Sequence, residues 1–217
     1  MSDRKRNTKE VRRRDPDASR ERILAAATAE FASKGFGAAR VDEIARRAGI
    51  NKRMLYHYFG NKDDLFRAAL EEIYDDICFS GTALDFDSMT PREGIIALVD
   101  FVGDYYLDHP ESIALLNTEN LHEARHLKSS KHARLMHPPF ETAIDNLMKR
   151  GVDAGDFHPG IDPVDLYISI VGLIYYYLSN SATLSVAFER NLRDPGELTR
   201  WREHVRTVIG RFVFVAP

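Results

Sequence analysis

The sequence has a single cysteine, Cys78, so one chain cannot form an internal disulfide. Its first residues are polar and basic, with no apolar stretch of the kind that directs secretion. The most apolar run, residues 164–178, contains Asp165 and is shorter than the ~20 residues that a membrane-spanning helix needs. These absences predict a cytoplasmic protein with no membrane partner, in which the apolar run is a buried helix.

Sequence patterns of several common enzyme classes are also missing. There is no G-x-x-x-x-G-K-S/T loop, no G-x-G-x-x-G and no G-x-S-x-G. Cys78 has no obvious activating neighbour in the sequence. No stretch alternates like a β-strand, and no internal repeat is present. The sequence therefore predicts an all-α protein that is not an enzyme and needs no cofactor.

One enzyme-like pattern does occur, in His122-Glu123-Ala124-Arg125-His126. It satisfies the H-E-x-x-H pattern of zinc proteases, and His132 stands where an extended form of that pattern has a third ligand. The extended form requires glycine where Ser129 stands, and so short a pattern recurs by chance. Ordinary surface or pocket histidines are the favoured interpretation. A metal-dependent hydrolase that uses His122, Glu123 and His126 is kept as an alternative.

The composition is that of a folded globular protein, with 44% hydrophobic and 29% charged residues in a chain of 217. The net charge of −3 is distributed unevenly. Residues 1–62 carry 16 basic and 8 acidic side chains, whereas the remainder carries 14 basic and 25 acidic ones. A basic end on an acidic body suggests that the first part meets a polyanion, although an unevenly charged solvated surface remains an alternative.

Four helices are predicted in the first eighty residues, at positions 19–34, 41–48, 52–58 and 61–79. Gly35 and Gly49 stand where the first two would end, and Asn51 and Asn61 stand where the last two would begin. The second and third form the helix-turn-helix arrangement by which many DNA-binding proteins place a helix in the major groove. Later, a capping residue followed by proline predicts helix starts at Thr90, Asp162 and Asp194, and further helices begin near Pro110 and Pro139.

Several short motifs stand in residues 19–70: Gly35-Phe36, Val41 to Ala45, Ala48-Gly49-Ile50, Leu55 to Phe59 and Lys62 to Leu65. Together they resemble the N-terminal signature of TetR/AcrR-type transcriptional regulators. Segments 119–127 and 161–192 resemble one regulatory-domain subgroup of that family. The resemblance implies a three-helix helix-turn-helix DNA-binding module followed by a larger helical ligand-binding and dimerisation domain. We expect a basic flexible arm at 1–17, the DNA-binding domain at 18–65 and the effector domain at 66–217.

The resemblance also implies which residues contact DNA: Arg40, Lys52, Arg53, Met54, Tyr56, His57 and Lys62. Residues 52–54 and 57 are placed on or near the bases, and Tyr56 and Lys62 at the phosphate backbone. Arginine and lysine are the usual partners of guanine edges and of phosphate, which agrees with this assignment. Arg40 stands near a position where the family often has serine or threonine, so a charged hydrogen bond to phosphate would replace a hydroxyl one.

The last two helices are expected to pack against their counterparts in a homodimer, as the resemblance implies. Apolar residues form one stripe on the final helix: Leu198, Trp201, Val205, Val208, Ile209 and Phe212. The alternative is that this stripe packs only within its own chain. An effector pocket is implied by the resemblance alone, with a possible lining of Tyr105, Leu116, Asn117, Asn120, His122, Phe140, Tyr167 and Tyr175.

These expectations describe a ligand-responsive DNA-binding regulator. The predicted partners are a near-palindromic double-stranded DNA operator, a small-molecule effector of unknown identity and a second copy of the chain. Repression, relieved when the effector binds, is the favoured interpretation. A helical interaction protein without a DNA target is the remaining alternative.

Overall fold

The computed structural model describes residues 16–130 and 137–216, with the side chains of residues 137–140 left out. Within these ranges the chain forms helices and no strand, apart from an isolated bridge between Phe157 and Phe214. The helices are α1 (Pro16–Ala38), α2 (Val41–Arg47), α3 (Lys52–Phe59), α4 (Lys62–Thr82), α5 (Pro91–Asp108), α6 (Pro110–Leu121), α7 (His137–Asp153), α8 (Pro163–Ala187) and α9 (Pro195–Val213). The predicted all-α fold class is confirmed. Residues 1–15 of the predicted basic arm lie outside the described residues, and Pro16 and Asp17 already belong to α1.

The turns of the first three helices follow the glycine and asparagine signals of the sequence. Gly35 interrupts α1 with φ 71° and ψ 167°, and Gly49 takes φ 66° after α2. Both values lie in the left-handed region that only glycine enters without strain. The side chain of Asn51 accepts a hydrogen bond from the Met54 amide at 2.8 Å, and that of Asn61 accepts one from the Asp64 amide at 2.9 Å. These caps satisfy amides that the first turn of a helix leaves free.

The proline-containing start signals also begin helices where they were predicted. Thr90 and Glu93 form a reciprocal capping box at the start of α5. Asp162 and Asp194 accept hydrogen bonds from first-turn amides of α8 and α9. The predicted end of α4 was wrong, because the helix continues past Phe79 to Thr82 and buries Gly81 on the way.

Two hydrophobic cores lie one after the other along the chain. The first is built by α1 to α4 and includes Phe31, Leu55 and Phe66. The second is built by α4, α5 and α7 to α9. Helix α4 contributes to both cores, and Leu115 of α6 is buried in the first. A ligand in the second core can therefore act on the first through α4 and α6 directly.

The apolar helix α8 is buried on one side only. Leu166, Ile170 and Ile174 lie in the core, whereas Val164, Ile168 and Tyr176 are exposed. The expectation of a wholly buried helix is corrected, because the other helices of one chain cover only one face of α8. No helix in the described ranges is both long and apolar enough to cross a membrane.

Candidate DNA-binding surface and ligand cavity

The helix-turn-helix is held by apolar side chains on the inner faces of α2 and α3. Ile44 and Ala45 of α2 pack in one core with Leu55 and Phe59 of α3. Burial of these four fixes which side of α3 faces outward. The outward side carries the polar residues, so this short helix presents a fixed set of side chains to an approaching duplex.

The structure places five of the seven predicted DNA contacts at the surface and two in partly buried positions. The exposed ones are Arg40, Lys52, Arg53, Tyr56 and His57. Met54 and Lys62 are partly buried. Lys52 lies near enough to Arg40 for each charge to influence the other. Contact of these seven residues with DNA stays a prediction, and their grouping at the start of α2 and along α3 agrees with it.

Arg53 and His57 are the residues of α3 best placed to bind an external partner. They are one helical turn apart and share a face. Arg53 makes no side-chain hydrogen bond or ion pair in the described parts of the chain, and His57 makes only a ring contact with Tyr58. Lys52, in contrast, pairs with Asp42 at 3.0 Å. That pair raises the pKa of Lys52 above its ordinary value through the Asp42 hydrogen bond.

Lys62 has structural partners of its own at the start of α4. Its ammonium nitrogen lies 3.3 Å from the carbonyl oxygen of Gly37 and 4.9 Å from the centre of the Phe36 ring. The helix start therefore holds the loop between α1 and α2. A phosphate role for Lys62 stays a prediction, and the structure adds a packing role.

Glu30 was missed from the sequence, although it organises the start of α2. It is 3% exposed, and its carboxylate accepts a hydrogen bond from the Arg40 amide at 3.3 Å. Its second oxygen lies 3.3 Å from the Arg47 guanidinium. Arg40 offers no side-chain cap to α2, so Glu30 supplies the acceptor from α1. A glutamate within an amphipathic helix gives no sequence signal for this role.

A cavity of about 330 Å³ lies between α4, α5, α6 and α8. Its lining is mostly apolar or aromatic: Ile73, Tyr74, Ile77, Tyr105, Tyr106, Leu116, Asn120, Tyr167, Val171 and Tyr175. Burial raises the pKa of Tyr105, Tyr106 and Tyr167 well above that of free tyrosine, and raises that of Tyr175 to about 12. These hydroxyls are therefore uncharged at neutral pH. A cavity of this size and character suits a small organic molecule.

Five of the eight residues predicted for the pocket line this cavity: Tyr105, Leu116, Asn120, Tyr167 and Tyr175. Asn117 lies beside it, where its side-chain oxygen accepts a hydrogen bond from Tyr175 at 2.8 Å. His122 lies elsewhere, with Nδ1 2.7 Å from the Thr118 carbonyl oxygen and its ring 6.0 Å from that of Phe36. Phe140 falls among the side chains that are not described. The sequence missed Tyr74 and Tyr106, although the adjacent pair Tyr105-Tyr106 was a visible signal.

The His122 to His126 pattern does not form a metal site in this fold. Helix α6 ends at Leu121, and Glu123 and Ala124 have φ values of 55° and 57°. The zinc-protease pattern needs both histidines on one helical face, which these left-handed residues prevent. The structure also contains no group of three metal-ligating side chains within residues 16–130 and 137–216. His132 lies outside the described residues. The hydrolase alternative therefore loses its geometric basis.

His126 instead joins the effector domain to the DNA-binding module. Its Nδ1 lies 2.6 Å from Glu119, and both side chains are buried. The His126 ring packs 4.9 Å from Phe36 and 4.8 Å from Phe66, centre to centre. Beside it, Arg125 pairs with Asp63 in the first turn of α4. The turn after α6 thus grips both α4 and the loop that begins the helix-turn-helix.

The predicted dimer stripe on α9 divides into two sides in the structure. Val205 and Ile209 are 0% and 2% exposed and lie in the core of their own chain. Leu198 and Trp201 are partly buried, and the Trp201 ring stacks on Tyr177. Val208 and Phe212 are exposed. Val205 and Ile209 are therefore not available to a partner, and the dimer surface stays a prediction for the exposed residues.

A helix-turn-helix with exposed basic residues, joined by one long helix to a domain with an organic-ligand cavity, defines a ligand-responsive transcriptional regulator. Residues 23–69 match the bacterial regulatory proteins of the tetR family, and residues 91–209 match the tetracyclin repressor-like C-terminal domain. The chain belongs to the tetR family, as its resemblance in sequence implied.

Relatives and solved structures of similar fold agree with this assignment. The chain is 35% identical over 191 residues to the HTH-type transcriptional repressor NicS of Pseudomonas putida, covering 88% of this chain and 90% of that protein. It is 27% identical to the regulator RutR of Escherichia coli, over 91% of this chain and 92% of RutR. The fatty acid degradation regulator FadR of Bacillus halodurans has the same fold, with a TM-score of 0.68 at 18% identity over 90% of this chain and 95% of FadR.

Proposed function

We propose that this protein is a homodimeric transcriptional repressor that leaves its operator when a small molecule enters the cavity beside α4. The name of NicS, a repressor that matches nearly the whole chain, supports repression. The site of action is DNA, which in a bacterial cell lies in the cytoplasm. The finer elements of this proposal are the operator contacts, the effector and the dimer.

The position of α4 is the observation that carries the proposal. The helix begins at Lys62, against the loop of the helix-turn-helix. Three of its residues, Ile73, Tyr74 and Ile77, line the cavity. The twelve residues from Lys62 to Tyr74 span about 18 Å at 1.5 Å per residue. A ligand that tilts α4 therefore moves the DNA-binding module without touching it.

The dimer is proposed on the exposed faces of α8 and α9. Val164, Ile168, Gly172 and Tyr176 recur at intervals of four residues, and all are exposed. Gly172 has open space around it, so another helix can approach closely there. An exposed apolar row of this length is a liability in a monomer and a natural surface for a two-fold partner. Two recognition helices would then lie in grooves spaced ~34 Å apart.

Operator binding tests the proposal most simply. Purified protein is titrated into a labelled fragment from upstream of its own gene, and into a shuffled fragment of equal composition. We expect at least a thousandfold preference for the first fragment, as is usual for specific regulators. Lys149→Ala, on exposed α7, is a charge-matched control for Arg53→Ala, on α3. Equal affinity for the two fragments at every tested promoter would overturn the proposal.

A further inference from the structure

The tyrosine-lined cavity contains a buried polar group that nothing in the chain satisfies. Tyr106 is 5% exposed and lines the cavity. Its hydroxyl makes no hydrogen bond in the described parts of the chain. Buried hydroxyls are normally paired, because an unpaired one loses its bonds to water without replacement. An unpaired hydroxyl at a cavity wall therefore indicates that a bound molecule supplies the partner.

Neighbouring hydroxyls of the cavity are already engaged. Tyr105 donates to the carbonyl oxygen of Ile73 at 3.2 Å, and Tyr175 lies 2.8 Å from the side-chain oxygen of Asn117. Asn120, by contrast, lines the cavity with a side-chain amide that has no partner among the described residues. Tyr106 and Asn120 together offer donors and an acceptor, which is the set needed to hold a ligand that also carries both.

The walls favour a flat ring. Tyr106 stands nearly perpendicular to both Tyr105 and Tyr175, with ring centres 5.6 Å and 5.3 Å away and interplanar angles of 81° and 78°. Walls at right angles present both faces and edges, and aromatic rings pair through both. The volume of about 330 Å³ is at the small end of ligand cavities. One or two fused or linked rings is the appropriate size.

The charge of the lining decides between ligand classes. None of the ten lining residues is ionised at neutral pH, because burial keeps the tyrosines protonated. An anion would find no cationic partner and would lie near the carboxylate of Glu119, which acts on Tyr74. A cation would gain contacts with ring faces, but these offset only part of the cost of removing its charge from water. Carboxylates do line an adjacent cavity, through Glu72, Asp76 and Glu111.

We infer that the effector is an uncharged planar aromatic compound with adjacent hydrogen-bond donor and acceptor groups, held by Tyr106 and Asn120. This inference rests on the proposed ligand-responsive function and deepens it. The amide or lactam edge of an aromatic or heteroaromatic ring is the chemical class that matches both side chains. The tyrosine rings enclose its faces.

Three nearly isosteric probes test the assignment: benzamide, benzoate and benzamidine, which are neutral, anionic and cationic at pH 7. Each is titrated into the purified full-length protein at millimolar concentrations, with binding followed by calorimetry. We expect benzamide to bind at least tenfold more tightly than either charged probe. Tightest binding by benzoate or benzamidine, or no measurable binding by benzamide, would overturn the inference.

Variants locate the bound probe. Tyr106→Phe keeps the ring and removes only the unpaired hydroxyl, so the protein should fold normally. We expect it to weaken benzamide binding roughly three- to tenfold, and Asn120→Ala to have a similar effect. Tyr176→Phe, at an exposed tyrosine outside the cavity, is the matched control and should change nothing. Unaltered benzamide affinity in Tyr106→Phe would contradict the assignment. Operator binding measured without any probe stands apart, so a failure of this inference is distinguishable from a failure of the proposed function.

Discussion

The Nδ1 atom of His126 lies 2.6 Å from a carboxylate oxygen of Glu119, with the two side chains 3% and 2% exposed. The other oxygen of Glu119 accepts hydrogen bonds from the backbone amides of His126 and Leu127, at 2.8 Å and 2.9 Å. One carboxylate thus satisfies three donors in the turn that joins α6 to the DNA-binding module. The turn is fixed at the point where a change in the cavity would be transmitted.

Removal of that carboxylate is expected to be costly. Glu119→Ala leaves three buried donors without a partner, so we expect the free energy of unfolding to fall by about 3–5 kcal/mol. Arg125→Ala removes the neighbouring exposed pair with Asp63, and should cost less than about 1 kcal/mol. Denaturant titration of both variants measures the difference. Similar small losses would show that the Glu119 contacts do not fix the turn.

Arg53 is expected to read bases and Lys62 to bind phosphate. Arg53→Ala should lower discrimination at one operator position by about 1–3 kcal/mol. Arg53→Lys keeps the charge but loses the two-pronged geometry, so it should lower discrimination as well. Lys62→Ala should weaken all sequences alike and reduce the salt slope by about 1. These outcomes are read from binding to a set of single-base operator variants at several salt concentrations. Full discrimination by Arg53→Lys would argue against direct base contact.

The dimer surface is tested with charges on the exposed apolar row. Ile168→Glu on α8 and Phe212→Glu on α9 place a carboxylate at positions 60% and 52% exposed in the single chain. We expect each variant to remain folded and to become monomeric at micromolar concentration, as measured by light scattering. Val152→Glu, on the exposed side of α7, is the control and should stay dimeric. A wild-type monomer, or dimers in all three variants, would exclude this surface.

Stability should respond in opposite ways to two tyrosine substitutions. The Tyr177 hydroxyl donates to the Leu192 carbonyl oxygen at 3.0 Å, so Tyr177→Phe should lower the free energy of unfolding by about 1 kcal/mol. Because the Tyr106 hydroxyl lacks such a partner, Tyr106→Phe should leave stability unchanged or raise it by about 1 kcal/mol. Thermal unfolding without ligand measures both. A loss in Tyr106→Phe equal to that in Tyr177→Phe would show that its hydroxyl is satisfied within the free protein.

Local features of the fold could be predicted because their physical causes are local in sequence. A cap such as Asn51 or Thr90 bonds an amide three residues away, so a short window of sequence contains the whole interaction. The predicted exposure of Arg53 follows from helical spacing in the same way. Helix existence, most helix starts and the DNA-binding surface were therefore accessible to prediction.

Features that depend on packing between distant helices were not accessible. Val205 and Val208 read alike as apolar residues of one stripe, but α5 and α8 cover the first and leave the second exposed. His122 reads as a helical pocket residue, but α6 ends one residue before it and turns it toward Phe36. Glu119 and His126 are seven residues apart and meet only because the chain turns sharply between them.

Antagonism between the cavity ligand and the operator is the central claim, and two calorimetric titrations test it most directly. The tightest-binding neutral aromatic probe is titrated into the free dimer and into the dimer saturated with its operator. Linkage requires that a ligand which weakens operator binding tenfold also binds the operator complex tenfold more weakly, a difference of about 1.4 kcal/mol. We predict weaker ligand binding to the complex, by the same factor as the loss of operator affinity. Equal ligand affinity in the two titrations would contradict the account.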